Sequence, residues 1–178
     1  MNQILHIRKE TTADYPWVNE LTERAFKTMT FSNGNEGKLV DNLRKASTFI
    51  ERLSLVAEIN GQVVGHILLT PICIENGQEY IESLALAPVS VLPEFQNQGI
   101  GSQLILAAHQ KAKDLGFESI IVLGHAKYYP RFGYQTASRW SIFAPFDLPS
   151  DDVFMALELT EGALRDVSGT VVYPPEFE

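Results

Sequence analysis

The sequence contains a single cysteine, Cys73, and this scarcity excludes an internal disulfide bond and any zinc site built from several cysteines. Basic residues are also few: 14 Lys and Arg stand against 22 Asp and Glu, which gives a formal net charge of -8. Because nucleic-acid binding depends on clustered positive charge, such an acidic chain is disfavoured as a general binder of nucleic acid. An anionic ligand would have to be held by local main-chain amides and not by the overall field of the protein.

Long apolar runs are missing as well. No stretch approaches the roughly 20 apolar residues of a membrane-spanning helix, and the N-terminus lacks a signal-peptide core. We therefore expect a soluble, intracellular protein located in the cytoplasm. What is present is an ordinary globular composition, 45% hydrophobic and 20% charged over 178 residues. We expect one domain over residues 1–178, with its core at about 3–160 and a C-terminal extension at 161–178 that contains a further strand.

The most informative stretch runs from Leu84 to Gly101. It starts as an apolar segment of strand character, crosses a turn at Pro93-Glu94-Phe95, and ends in Gln96-Asn97-Gln98-Gly99-Ile100-Gly101. Apolar residues then recur at steps of three and four, which predicts a helix over 99–114. A strand, a glycine-containing turn and a helix present free backbone N–H groups to an anion, and glycine lets a phosphate approach closely.

Two other glycine-based phosphate motifs are absent. No Gly-x-x-x-x-Gly-Lys-Ser/Thr loop occurs, and the dinucleotide fingerprint would need glycine where this chain has Leu104. What remains, Gln-x-x-Gly-x-Gly after a strand, resembles motif A of the GCN5-related N-acetyltransferases (GNAT), whose loop holds the pyrophosphate of coenzyme A. The stretches LGHAKYYPRFGY and GTVVYPPEF are similar to the YhbS-like bacterial branch of that superfamily.

The remaining pattern predicts the element order β, α, α, β, β, β, α, β, α, β, β. Strands are expected at 3–9, 53–59, 63–74, 80–91, 119–123, from 132, and at 153–159; helices are expected up to about 26, at 39–46, at 99–114 and at 126–131. The turns Asn60-Gly61 and Asn76-Gly77 predict an antiparallel meander. This order matches the GNAT fold. The resemblance therefore implies an α/β (α+β) acyl-CoA N-acyltransferase fold, with a mixed, mostly antiparallel sheet of about seven strands, flanked by four helices and splayed between strands four and five.

The resemblance implies that the pantetheine arm of acetyl-CoA lies beside a strand interrupted by Pro88, since proline cannot donate to a neighbouring strand. It assigns the main chain of Val89, Ser90 and Val91 to the pantetheine amides, with the Val91 N–H as the oxyanion donor. The pyrophosphate is expected to contact a run of main-chain N–H groups, namely those of Gln96, Asn97, Gln98, Gly99, Ile100, Gly101 and Ser102. The alternatives are a plain strand end at Pro88 and a tight turn without a ligand.

Tyr129 is the candidate general acid, since GNAT proteins often have Tyr-x-x-x-Gly-Phe where this chain has Tyr129-Pro-Arg-Phe-Gly133-Tyr134. A phenol with a pKa of about 10 stays protonated at neutral pH and can protonate the leaving thiolate. Tyr128 is the neighbouring alternative and a candidate cofactor contact. Either ring could instead serve only in aromatic packing against the cofactor.

A general base is harder to identify. Some GNAT proteins have a glutamate on strand four where this chain has Ala85, and the nearest carboxylate is Glu82. His66 is an alternative because its ordinary pKa suits a base. Glu82 could instead lie on a solvated face and His66 could be a hydrogen-bonded core histidine, and a water relay without a dedicated base is also compatible.

The sequence therefore predicts an N-acetyltransferase in which a primary amine attacks acetyl-CoA directly, without a metal ion. A catalytically silent acyl-CoA-binding module is the alternative, because the strand-four glutamate is missing; an RNA-associated modifier is disfavoured by the charge. The acceptor is expected to be a small-molecule or peptide amine, bound by the first two helices, residues 31–37 and the segment after Trp140. No nucleic-acid or membrane partner is expected, and a homodimer is compatible with the sequence.

Overall fold

A computed structural model describes residues 4–30 and 32–178 of the chain. In chain order the strands are β1 (Leu5–Lys9), β2 (Ser54–Ile59), β3 (Gln62–Asn76), β4 (Glu79–Val91), β5 (Ser119–Leu123), β6 (Gln135–Thr136), β7 (Ile142–Phe143), β8 (Phe154–Glu158) and β9 (Gly169–Val172). The α-helices are α1 (Tyr15–Phe26), α2 (Glu36–Lys45) and α3 (Ile100–Asp114). Residue 3, predicted to begin the first strand, lies outside the described residues.

Three predicted elements differ from the structure. The strand expected from residue 132 is β6, Gln135–Thr136, because Phe132 still belongs to a 3₁₀ helix that Gly133 ends. Helix α2 begins at Glu36 and not at residue 39, because an acidic residue is favourable in the first turn of a helix. The helix predicted at 126–131 is a short 3₁₀ helix, Tyr129–Phe132, so the fourth flanking helix has only this form. Pro130 starts this turn, and Gly133 ends it with a left-handed φ of 95°. The helix therefore cannot continue beyond these two residues.

The described residues separate into two compact units that interleave along the chain. Unit 1 contains the described part of Met1–Leu69 together with Ala87–Lys111 and Glu176–Glu178. Unit 2 contains Thr70–Leu86 and Ala112–Pro175. The chain passes from one unit to the other within β3, β4 and α3. The expectation of a single domain remains a prediction.

Unit 1 is built on an antiparallel hairpin. Strand β1 pairs with β2 from Leu5↔Ile59 to Lys9↔Leu55, and β2 pairs with β3 from Ile59↔Gln62 to Ser54↔Leu68. The turn between β2 and β3 is the predicted Asn60-Gly61, whose φ angles of 51° and 80° are both positive. Two successive left-handed residues give the two-residue turn that matches the twist of a hairpin.

Helix packing in unit 1 follows the apolar periodicity of the sequence. Helix α1 buries Val18, Leu21 and Ala25, and α2 buries Val40 and Leu43. Spacings of three and four residues place each set on one helix face. These faces supply much of the core of unit 1.

Helix α3 packs unusually close to β3 in unit 1, because β3 has a glycine at the contact. A Cβ added to Gly65 would lie 2.9 Å from Leu104 Cδ1 and 3.3 Å from Ile100 Cγ2. Distances of about 3.5–4.0 Å are the normal range for carbon atoms, so no side chain fits there without a shift. Gly65 therefore lets the first turns of α3 lie directly against the strand.

Unit 2 contains two parallel pairings, β4–β5 and β7–β9. Strand β5 pairs in parallel with β4, at Leu84↔Ile120 and Ala85↔Ile121. Strand β5 also pairs antiparallel with β8, which in turn pairs with β6, while β9 pairs with β3 and β7. The pairings β1–β2, β2–β3, β3–β9, β5–β8 and β6–β8 are antiparallel, whereas β4–β5 and β7–β9 are parallel. This confirms the mixed, mostly antiparallel α/β fold class. The β4–β5 register consists of those two residue pairs, although β4 continues to Val91.

Candidate functional site: the junction between β4 and α3

The connection from β4 to α3 is a strand, a turn and a helix, as predicted. A 3₁₀ turn at Pro93–Phe95 follows β4, and α3 begins at Ile100. Asn97 and Gly99 have left-handed φ angles of 59° and 80°. A Cβ added to Gly99 would meet no atom within 4 Å, so the space in front of this residue is open. A ligand can therefore approach the backbone here without meeting a side chain of position 99.

The start of α3 offers main-chain donors. The N–H of Gln103 donates to Gly99 O at 3.1 Å, which is the first turn of the helix. The N–H groups of Ile100, Gly101 and Ser102 precede that bond, and the first N–H groups of an α-helix have no acceptor within it. The helix dipole adds partial positive charge at the same end. These features suit an anionic group such as a phosphate.

Two glutamine side chains hold the turn to its own backbone. Gln96 Nε2 donates to Val91 O at 3.0 Å, and Gln98 Nε2 donates to Glu94 O at 3.2 Å. Each glutamine therefore has an amide hydrogen engaged with the backbone around the turn, at Val91 O of β4 and at Glu94 O. The motif predicts a main-chain role for Gln96, and no sequence signal indicates this role of its side chain.

The end of β4 directs alternate residues to opposite edges. Leu92 N donates to Val64 O at 2.9 Å, so Leu92 faces β3. Since successive residues of a strand point their N–H groups to opposite edges, the N–H groups of Val91 and Val89 point away from β3. The bond from Gln96 to Val91 O agrees with this direction. Val91 is therefore placed as a main-chain donor on the edge that β3 does not occupy.

Helix α1 contacts both β4 and the turn. Ser90 is 3% exposed and its Oγ lies 3.2 Å from Thr22 Oγ1, so its hydroxyl group faces α1. Arg24 Nη2 donates to Glu94 Oε1 at 2.9 Å and to Oε2 at 3.1 Å. Glu94 is the sole charged residue of the sequence from 93 to 102. Arg24 therefore neutralises the one carboxylate beside the donor groups, a partner that no sequence motif indicated.

A cavity of about 460 Å³ lies next to these contacts in unit 1. Its lining includes Trp17 and Arg24 of α1, Gln62 of the β2–β3 hairpin, and Leu92. Trp17 is 64% exposed, although large aromatic side chains are mostly covered in folded proteins. No motif in the sequence indicates this cavity.

Tyr129 lies within an aromatic cluster of unit 2. It is 8% exposed, and its ring meets those of Tyr128 and Tyr134 edge to face, at centroid distances of 5.2 and 5.6 Å. Burial raises the pKa of Tyr129 well above its ordinary value, with the neighbouring Tyr128 as a smaller cause. The phenol is therefore protonated at neutral pH, which is the state a general acid needs.

The two candidate bases have opposite environments. Glu82 is exposed on β4, whereas His66 is fully buried. The Nε2 atom of His66 lies 2.9 Å from Ser54 Oγ, and Ser54 Oγ donates to Glu10 Oε2 at 2.6 Å. Burial, with the nearby positive charge of Arg44 as a smaller cause, lowers the pKa of His66 to about 3. This environment disfavours proton exchange between His66 and a substrate.

The rest of the predicted site is less defined. Ala85 is 3% exposed within β4, and Phe31, predicted to border the acceptor, lies outside the described residues.

Within residues 4–30 and 32–178, no group of three or more His, Cys, Asp or Glu side chains could hold a metal ion. No helix of that part of the chain is both long and apolar enough to cross a bilayer.

Comparison with known families gives a match over the region of the site. Residues 50–136 match a family model described as an acetyltransferase (GNAT) domain. The chain is 33% identical over 129 residues to YjhQ of Escherichia coli strain K12, a protein named as an N-acetyltransferase. That alignment covers 72% of this chain and 71% of YjhQ.

Solved structures resemble the whole chain. The GNAT family N-acetyltransferase YhbS of Escherichia coli, in complex with CoA, superposes with a TM-score of 0.88 at 26% identity, covering 99% of this chain and 93% of that one. A GNAT family acetyltransferase of Brucella melitensis, in complex with acetyl-CoA, superposes with a TM-score of 0.81 at 34% identity, covering 99% and 100%.

Proposed function

The chain belongs to the GNAT family of acetyltransferases, and on this premise we propose that it transfers the acetyl group of acetyl-CoA to a primary amine. The observation that carries the proposal is the junction of β4 and α3, where N–H groups at a helix start adjoin a glycine that faces open space. This arrangement fits a diphosphate. The relatives from Escherichia coli and Brucella melitensis, solved with CoA and acetyl-CoA, support the choice of co-substrate.

We assign the diphosphate of acetyl-CoA to the main-chain N–H groups of the loop and the first turn of α3, namely Gln96, Asn97, Gln98, Gly99, Ile100, Gly101 and Ser102. The pantetheine arm is assigned to the main chain of Val89 and Val91, with Tyr128 as a further contact. The direction of the Val89 and Val91 N–H groups, away from β3, supports this assignment. The expected contribution of Ser90 is less favoured, because the same alternation turns its main-chain N–H towards β3 and its hydroxyl group faces α1. The acceptor is proposed to be a small-molecule or peptide amine.

The proposed reaction is a direct attack. A bond forms between the amine nitrogen and the acetyl carbon, and the carbon–sulfur bond breaks. The Val91 N–H stabilises the negative charge that develops on the acetyl oxygen. The Tyr129 hydroxyl gives its proton to the leaving thiolate, and the amine proton passes to a base or to water. Holding both reactants in one site supplies a large part of the rate enhancement.

For the base, exposure favours Glu82 over His66, which is sealed in the core with a pKa of about 3. A water relay remains the third choice. The variants Glu82→Gln and His66→Gln distinguish these three choices. If either residue is the base, its own variant will have a kcat lower by about 10²-fold or more. Unchanged kcat in both would favour the water relay.

The proposed function is tested by thiol release from acetyl-CoA with a panel of primary amines. We expect Tyr129→Phe to lower kcat about 100-fold while acetyl-CoA still binds, because the phenol proton is needed only as the thiolate leaves. Tyr80→Phe is the matched control, since Tyr80 is 64% exposed. The buried Ala85 at the position of the family glutamate favours a second candidate, a silent acyl-CoA-binding module. Binding without turnover, with no effect of Tyr129→Phe, would support that candidate.

Two expectations accompany the proposal as predictions. The cytoplasm is the proposed location, because acetyl-CoA is an intracellular metabolite. A homodimer remains a proposed assembly that sedimentation would test.

A further inference from the structure

We infer that Gly124 is a positioning residue for Tyr129, so that any side chain at position 124 displaces the hydroxyl group of the proposed acid. The inference rests on the proposed function, because it concerns the reaction in which Tyr129 gives a proton. It adds a residue that the GNAT motifs in the sequence do not assign.

The ring of Tyr129 lies directly on the backbone of Gly124. A Cβ added to Gly124 would lie 2.3 Å from Cε2 of Tyr129, 3.0 Å from Cδ2 and 3.3 Å from Cζ. Normal carbon contacts are about 3.5–4.0 Å, so the ring would have to move by roughly 1 Å. Because Cε2 and Cζ are at the hydroxyl end of the ring, the displacement falls on the reactive group.

The surroundings of the Tyr129 ring restrict how the ring and the Gly124 backbone can move apart. Tyr129 is 8% exposed, and Tyr134, which packs against it at 5.6 Å, is 1% exposed. The backbone of Gly124 is held by a hydrogen bond from its N–H to Val153 O at 2.9 Å. Close-packed interiors transmit such strain instead of absorbing it. The side chain of Tyr129 must therefore tilt within its cluster.

The backbone conformation does not itself require glycine at position 124. The glycines with positive φ include Gly116 and Gly133, whereas Gly124 is not among them. Alanine at position 124 is therefore compatible with the local backbone, and the space taken by the Tyr129 ring is what excludes it. This separates a positioning role from the conformational role of Gly133, whose φ is 95°.

The consequence for catalysis is a misplaced proton donor. A displacement of about 1 Å in a catalytic group can lower a rate about 100-fold. We expect Gly124→Ala to lower kcat between about 10-fold and 100-fold with KM for acetyl-CoA unchanged. Gly116→Ala serves as the control for an added methyl group, because a Cβ there would meet no atom within 4 Å and position 116 lies outside the proposed site; kcat should keep its wild-type value, although the left-handed φ of 87° costs some stability.

The test is a kinetic cycle of wild type, Gly124→Ala, Tyr129→Phe and the double variant. If Gly124 acts through the Tyr129 hydroxyl, the double variant will be no slower than Tyr129→Phe within about twofold. A wild-type kcat for Gly124→Ala, or effects that multiply in the double variant, would overturn the inference while leaving the role of Tyr129 intact. A wild-type kcat for Tyr129→Phe would instead refute the acid role, and the inference with it.

A second cycle covers the case in which Gly124→Ala folds poorly. Tyr129→Ala removes the ring that the new Cβ would meet. Adding Gly124→Ala to Tyr129→Ala should then leave the melting temperature of Tyr129→Ala unchanged within about 2 °C. A further large loss of stability would contradict the contact between Gly124 and the ring.

Discussion

Lowering the pH from 7 to 4.5 should destabilise the protein through His66. Its ring is fully buried, with Nε2 2.9 Å from Ser54 Oγ. Since the single hydroxyl hydrogen of Ser54 is donated to Glu10, the Nε2–H of His66 must be the donor to Ser54. The Nδ1 atom has no hydrogen-bond partner among the described residues, so the ring is neutral and a second proton would be buried without an acceptor.

The sign and size of the effect follow from the shifted pKa. Burial lowers the pKa of His66 from 6.5 to about 3. The unfolded chain binds the proton as the pH falls below 6.5, whereas the folded protein does not until about pH 3, so stability is complete above pH 6.5 and is lost between these values. The slope is about 1.4 kcal/mol per pH unit, which gives a loss of about 2–3 kcal/mol by pH 4.5.

Two other groups with shifted pKa values affect the stability of the protein as the pH falls. Burial lowers the pKa of His109 to about 4, so His109 adds a loss of the same sign. Asp14 has a pKa of about 2, chiefly because Arg8 donates a hydrogen bond to it, and its ordinary value is 3.8. The stability due to Asp14 is present above pH 3.8 and is lost as the pH falls towards 2, so it contributes little above pH 4.5.

Urea unfolding at several pH values between 7 and 4.5 measures the effect. The free energy of unfolding of His66→Gln should fall about 2–3 kcal/mol less over this range than that of the wild type. His6→Gln is the control, because His6 is exposed on β1. Equal pH dependence in the wild type and His66→Gln would refute the reasoning.

The remaining predictions concern the junction of β4 and α3 and the packing of α3 on β3. Arg24→Gln should weaken acetyl-CoA binding roughly two- to fivefold by calorimetry, because Glu94 loses its partner, and Arg24→Gln/Glu94→Gln should recover the affinity. Affinity that falls further in the double variant would contradict the role of charge. Gly65→Val should lower the free energy of unfolding by about 1–3 kcal/mol, because its side chain would meet Leu104 and Ile100. A wild-type denaturation midpoint would contradict the close packing of α3 on β3.

The parts of the fold that were predictable depend on local sequence. Asn60-Gly61 adopts two left-handed residues that few other pairs tolerate, and Gly99 precedes the first periodic residues of α3. The short 3₁₀ helix at Tyr129–Phe132 was predicted too long, because Ala126 and Lys127 favour a helix locally while Pro130 and Gly133 confine it.

The environment of His66 could not be read from sequence, because its neighbours are distant in the chain. Ser54 belongs to β2, Arg44 to α2, and Glu10 follows β1. The role inferred for Gly124 was equally hidden, since its φ is not positive and only the position of the Tyr129 ring reveals the contact. Periodicity identifies which residues are buried, but the partners of a buried polar group depend on the tertiary arrangement.

Titration calorimetry of the full chain with acetyl-CoA, compared with acetyl-pantetheine, which lacks the diphosphate and the nucleotide, tests the main-chain anion site most directly. Binding of one acetyl-CoA per chain, at least tenfold tighter than that of acetyl-pantetheine, is the predicted result. No heat with acetyl-CoA, or equal affinity for the two thioesters, would contradict a diphosphate site at the start of α3.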